Sequence, residues 1–240
     1  LAKISPPEAP CVCQGRFAED ILAKMNAIGQ ERDMTPEQIV AMFTRADGSY
    51  LFARWGRPIV PVVFGIEAPS LSIVKGAIEA VVALADHKMA DHDPELGANL
   101  MIFFLRDWGE MLQLPKLDHM IPDLQALCDK LSAAEANQYR TFRFDADGAI
   151  KAAFVFLVMD EALTEMPAHD LALLQAVQVI VLWSEGAFAT SAPLARLGQT
   201  AVLRPEVAAV IRAGYARGLP AVARDPAHAY RLFARMAPLL

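Results

Sequence analysis

Long hydrophobic runs are missing from this chain, as are runs of one charge and the familiar nucleotide and nucleophile signatures. The apolar stretch over residues 176–183 is interrupted by Gln178 and falls far short of the roughly 20 apolar residues that cross a bilayer. No transmembrane helix is expected. No run of Lys or Arg exceeds two, the net charge is −6 and the sequence pI is near 5.4. Such a surface repels phosphate backbones and anionic lipid heads, which argues against nucleic acid and membrane-surface roles. There is no Gly-x-Ser-x-Gly elbow, no glycine-rich loop ahead of Lys-Ser/Thr and no dinucleotide fingerprint after a strand. A Ser–His–Asp set assembled from distant positions stays open, but nothing singles one out.

Cysteine is scarce, with three in 240 residues. Cys11 and Cys13 are too close to bridge each other comfortably, whereas either one joined to Cys128 would staple the N-terminal lead to the body. Three free thiols, with Cys128 packed as a small hydrophobe, fit the sequence as well. A Cys-x-Cys pair could also hold a metal, but no second pair completes a tetrahedral set. Leu1 in place of Met is what a trimmed or a processed chain shows. With Pro6, Pro7 and Pro10 behind it, residues 1–16 read as a loosely attached lead, expected to follow a removed signal peptide.

What is present is apolar content, 55% of the chain, enough for one substantial core. Residues 17–31 place Phe17, Ile21, Leu22, Met25 and Ile28 at helical spacing. Thr35-Pro36-Glu37-Gln38 is a helix start, with Thr35 as N-cap and Gln38 closing a capping box, and this second helix is expected to run to Arg45. Together they make a helical extension over residues 17–47. It either packs on the core or clamps a partner, and the helices from Phe17 to Arg45 are the expected surface for a protein partner or self-association. Residues 57–64 are apolar and β-branched but contain Pro58 and Pro61, so they form an edge or bulged strand. A helix over 70–85 and a strand over 100–105 complete a crossover unit with parallel strands. Residues 139–145 and 149–159 flank Ala146-Asp147-Gly148 as an antiparallel hairpin. Helices over 119–133, 170–184, 205–217 and 226–236 complete an α+β domain over residues 48–240, a small mixed sheet flanked by helices.

Four segments, Arg54-Trp55-Gly56-Arg57-Pro58-Ile59, the helix after it, the strand from Gly97 to Phe104, and the late Arg204-Pro205-Glu206-Val207 to Ala213-Gly214-Tyr215 helix, resemble a bacterial family of unknown function. Its members are mostly exported and look like zinc-metalloprotease (zincin) folds. The resemblance spans residues 54–224 and implies a zincin-like layout, a periplasmic or secreted location and no established activity. A zincin needs two histidines at i and i+4 with a glutamate beside the first. The helix that the resemblance aligns there reads Leu174-Gln175-Ala176-Val177-Gln178, so Leu174 and Gln178 stand at ligand positions and Gln175 at the base position. None of them can do that chemistry.

Gln175 and Gln178, three apart on one helix face, are either the polar floor of a cleft or core amides that find partners. Trp108, after Arg106-Asp107, begins a turn where its ring could be displayed, or it fills the core. His87 and His92 lie in the densest group of possible metal ligands, residues 86–95, and could share an ion only from a loop. A hydrated acidic loop accounts for the same composition. No cofactor is implied. The resulting expectation is a non-catalytic binding or assembly protein of the bacterial cell envelope with a degenerate metalloprotease-like fold. The alternative is a hydrolase whose active site is not recognisable in the sequence.

Overall fold

The computed structural model describes residues 34–236. The lead, the expected helix over 17–31, Cys11 and Cys13 lie outside the described residues. Helix α1 (Pro36–Phe43) starts as its sequence dictates. The Gln38 N–H donates to Thr35 Oγ1 at 3.3 Å and the Thr35 N–H donates to Gln38 Oε1 at 2.8 Å, which satisfies two donors that have no intrahelical acceptor. It ends short of Arg45 because Thr44 bridges Tyr50 and the Arg45 N–H bonds the Ser49 carbonyl. Ile39 and Phe43, one helical turn apart, are fully buried in the main core.

The chain continues through β1 (Phe52–Ala53), β2 (Pro61–Phe64), α2 (Ala68–Leu84) and β3 (Leu100–Leu105). A 3-10 turn (Trp108–Gln113), α3 (Leu117–Met120) and α4 (Leu124–Ala133) follow, then β4 (Gln138–Phe144) and β5 (Ile150–Val158). The expected helix over 119–133 is divided because Pro122 has no N–H to donate and Asp123 adopts φ +52°. Beyond β5 lie α5 (Glu161–Glu165), α6 (Ala168–Ile180), the β6 (Leu194–Leu197) and β7 (Thr200–Leu203) hairpin, α7 (Pro205–Gly214), β8 (Val222–Ala223) and α8 (Ala227–Met236).

The main sheet has four strands in the order β2-β3-β5-β4. The first three are mutually parallel and β4 runs antiparallel to β5, so the architecture is α+β with a mixed sheet between helices. β5 alternates with a period of two. Ala153, Val155 and Leu157 enter the main core under α2 and α6, while Ala152, Phe154 and Phe156 enter a second core with Trp108, Met111 and Leu124. Burial on both faces explains why β5 reads as a continuous apolar run. β1 and β8 form a two-stranded sheet that carries α7, α8 and α1 against the main core. Cys128 is a buried free thiol in the second core.

Candidate functional site

The carboxyl ends of β2, β3 and β5 open onto a cleft of about 200 Å³, whose walls include Gly65, Ile66, Val74, Phe104, Met159 and Leu171. Gly65 sits at φ +84°, and a Cβ there would lie 2.2 Å from the Phe104 carbonyl oxygen. Only glycine lets the chain leave β2 so close to β3, and that approach shapes the cleft floor. The opposite rim is the turn from β5 into α5. The Asp160 carboxylate accepts from the Leu163 N–H at 2.9 Å and the Asn137 amide at 2.8 Å, and these bonds hold its pKa below the usual range. Ser70 and Thr164 supply the hydroxyls of an otherwise apolar lining. The volume lies below the roughly 300–1,000 Å³ of whole-ligand pockets and slightly above the ~150 Å³ that accepts benzene. It suits one side-chain-sized apolar group.

Beyond the cleft along α6, the buried Gln175 faces β4. Arg140 Nη2 donates at 2.6 Å both to Gln138 Oε1 and to Gln175 Oε1, and Gln175 Nε2 donates to Gln138 Oε1 at 3.1 Å. Burial lowers the Arg140 pKa to about 10. Its Nε is buried without a hydrogen-bond partner, and no carboxylate among the described residues pairs with the guanidinium. Among the described residues the side-chain amides of Gln138 and Gln175 hold this charge, an unusual state for a largely covered cation.

A third polar cluster joins the 54–57 segment to the loop that follows α2. Asp93 accepts from the Glu95 and Leu96 N–H groups, from Asn99 and from Arg57. Burial alone would raise its pKa, yet these donors overcome that and hold it at about 2. Asn99 also bonds the Val60 N–H and the Pro58 carbonyl. His87 Nε2 lies 2.9 Å from the Arg57 carbonyl, so Nε2 carries the proton and donates. Burial and then the nearby Arg54 lower the His87 pKa, against the carbonyl contact. Every Asp93 contact is internal, and the cluster locks the loop to the sheet.

The residues singled out by sequence are therefore dispersed. Gln175 is buried in the Arg140 network, whereas Gln178, one turn on, is half-exposed. The Trp108 ring is buried, its Nε1 donating to the Ala136 carbonyl at 2.7 Å; the 3-10 turn folds it inward because the second core lies directly beneath. His87 is tied to Arg57 while His92 is exposed, and no group of three or more His, Cys, Asp or Glu side chains is arranged to hold a metal among the described residues. Arg140 and Gln138 were missed, although alternation along Gln-Tyr-Arg-Thr-Phe-Arg-Phe could have placed both on the face toward α6. His228 was also passed over. It is fully buried, 3.0 Å from the Tyr50 hydroxyl through Nδ1, with its Nε2 unpartnered. Comparison with known protein families, curated proteins and solved structures finds no match to this chain.

Proposed function

We propose that this protein is a non-catalytic binding module, working in assembly at the bacterial cell envelope, that seats one apolar side chain of a partner polypeptide in the cleft at the strand ends. The observation that carries this reading is the size and lining of that cleft. It is apolar, rigidly framed by Gly65 and Asp160, and large enough for one anchor residue of the kind that dominates protein interfaces. Its position, outside the carboxyl ends of parallel strands, is where open α/β sheets place their ligands. The polar groups of α6 favour binding over catalysis, since Gln175 is engaged by Arg140 and neither Leu174 nor Gln178 offers a base or a metal ligand. In the zincin-like reading of the layout, this helix is where such ligands would stand.

The test is a titration of the isotopically labelled chain with short peptides that differ only in one central residue, phenylalanine, leucine or alanine, followed by backbone amide NMR. The reading predicts shifts at Gly65, Ile66 and Leu171 with the phenylalanine or leucine peptide, at least tenfold weaker binding of the alanine peptide, and loss of binding in Ser70→Phe, which fills the cleft from its half-buried rim. Equal responses to all three peptides, or shifts that survive Ser70→Phe, count against it.

A further inference from the structure

The two edges of the main sheet differ sharply. β2 is four residues long and begins with Pro61, and just before it Ile59 is already bridged to Met89. β4, at the other end, is seven residues long without proline or glycine, half-buried along Gln138–Arg143, and among the described residues no further strand pairs with it. An edge of this length is a template for strand addition unless something blunts it. The bulge at Arg143/Phe144 ends the regular ladder at one end only.

Arg140 lies in the middle of this edge strand. Its guanidinium is turned toward α6, its Nη2 is held by Gln138 and Gln175, and it has no carboxylate partner among the described residues. Arg143, on the same strand, bonds the Thr141 hydroxyl and the carbonyls of Phe142 and Met120, and among the described residues it too has no carboxylate partner. A strand added at this edge sets its own side chains beside those of β4 on the same faces. A neutral or basic side chain beside Arg140 would bury the cation further, unpaired, whereas a carboxylate supplies its missing counter-ion. A second copy of β4 paired antiparallel about residue 140 would set Arg140 opposite its own image, a like-charge contact that disfavours that self-pairing.

We infer that the free edge of β4 is a docking site for an extended partner segment that carries an acidic residue at the register of Arg140. The ladder supplies affinity and Arg140 supplies selection, so one residue both rejects unsuitable strands and recognises a suitable one. This surface is independent of the cleft and is read at different residues.

The probes are two synthetic peptides of about nine residues, alternating threonine and valine to favour an extended strand and identical except for a central glutamate or lysine. With the labelled full chain, the inference predicts amide shifts confined to Gln138–Phe144 and at least tenfold tighter binding of the glutamate peptide. Arg140→Gln should abolish that preference and Arg140→Lys should retain part of it, with thermal melts confirming that both variants fold. Failure of both peptides to shift β4 at millimolar concentration overturns the inference, as does equal binding of the two. Concentration-dependent dimerisation of the chain alone, lost in Thr141→Pro, would overturn it in favour of a second copy. Shifts at Gly65 and Leu171 report the cleft separately, so the two readings fail independently.

Discussion

His228 shows most clearly what a single side chain contributes. The imidazole is fully buried against Phe52, with ring centroids 4.5 Å apart, and among the described residues its one hydrogen-bond partner is the Tyr50 hydroxyl. Burial, then Arg231 and Arg235, depress its pKa to about 4. In the unfolded chain the group titrates near ~6.5, so between these values the unfolded state binds a proton that the folded state refuses. Its contribution is therefore intact above pH ~6.5 and is lost progressively as the pH falls toward 4. Urea melts should show the wild type losing about 2 kcal/mol from this group between pH 7 and pH 5. His228→Gln, which keeps a partner for Tyr50 without titrating, should lose much less over the same interval. Parallel pH profiles for the two proteins would show that the histidine does not govern this acid response.

At the scale of elements, α1 has the clearest consequence. On sequence alone, residues 17–47 read as an extension that either packs on the core or clamps a partner, and its removal is expected to leave a folded core. Yet Ile39, Met42 and Phe43 lie in the main core, where Phe43 meets Phe52 edge-on at 5.1 Å and stacks on Trp183 at 5.3 Å. Each such side chain contributes roughly 1.5–3 kcal/mol by burial, against a total stability of about 5–15 kcal/mol. Deleting residues 1–47 should therefore abolish cooperative thermal unfolding or lower the midpoint steeply, as followed by circular dichroism. A truncated chain that melts like the full one would place α1 outside the core. The β2-α2-β3 crossover and the β4-β5 hairpin were legible because their signals are local: prolines at an edge strand, period-two alternation and a glycine turn. α6 was expected to reach Ser184 but ends at Ile180, because Val181 bridges Arg54. No local pattern announces a contact between residues so far apart. The β6–β7 hairpin was overlooked, although Gly198, at φ +61°, marks its turn.

For the whole molecule, function was less legible than fold because the candidate site is an arrangement rather than a motif. Gly65, Phe104, Met159 and Leu171 form a cleft only once three parallel strands end at one level. Arg140 meets Gln175 across 35 residues, and neither side chain is distinctive in isolation. The central claim is that the cleft at the strand ends, and not another face, holds a partner. Cross-linking in the native cells tests this most directly, with a photo-activatable residue placed either at the exposed cleft-lining Thr164 or at Lys130 on the far side of the sheet. The account predicts one discrete adduct from position 164, absent from position 130 and abolished when Ser70→Phe fills the cleft. Equal adducts from both positions, or an adduct from 164 that persists in Ser70→Phe, would contradict it.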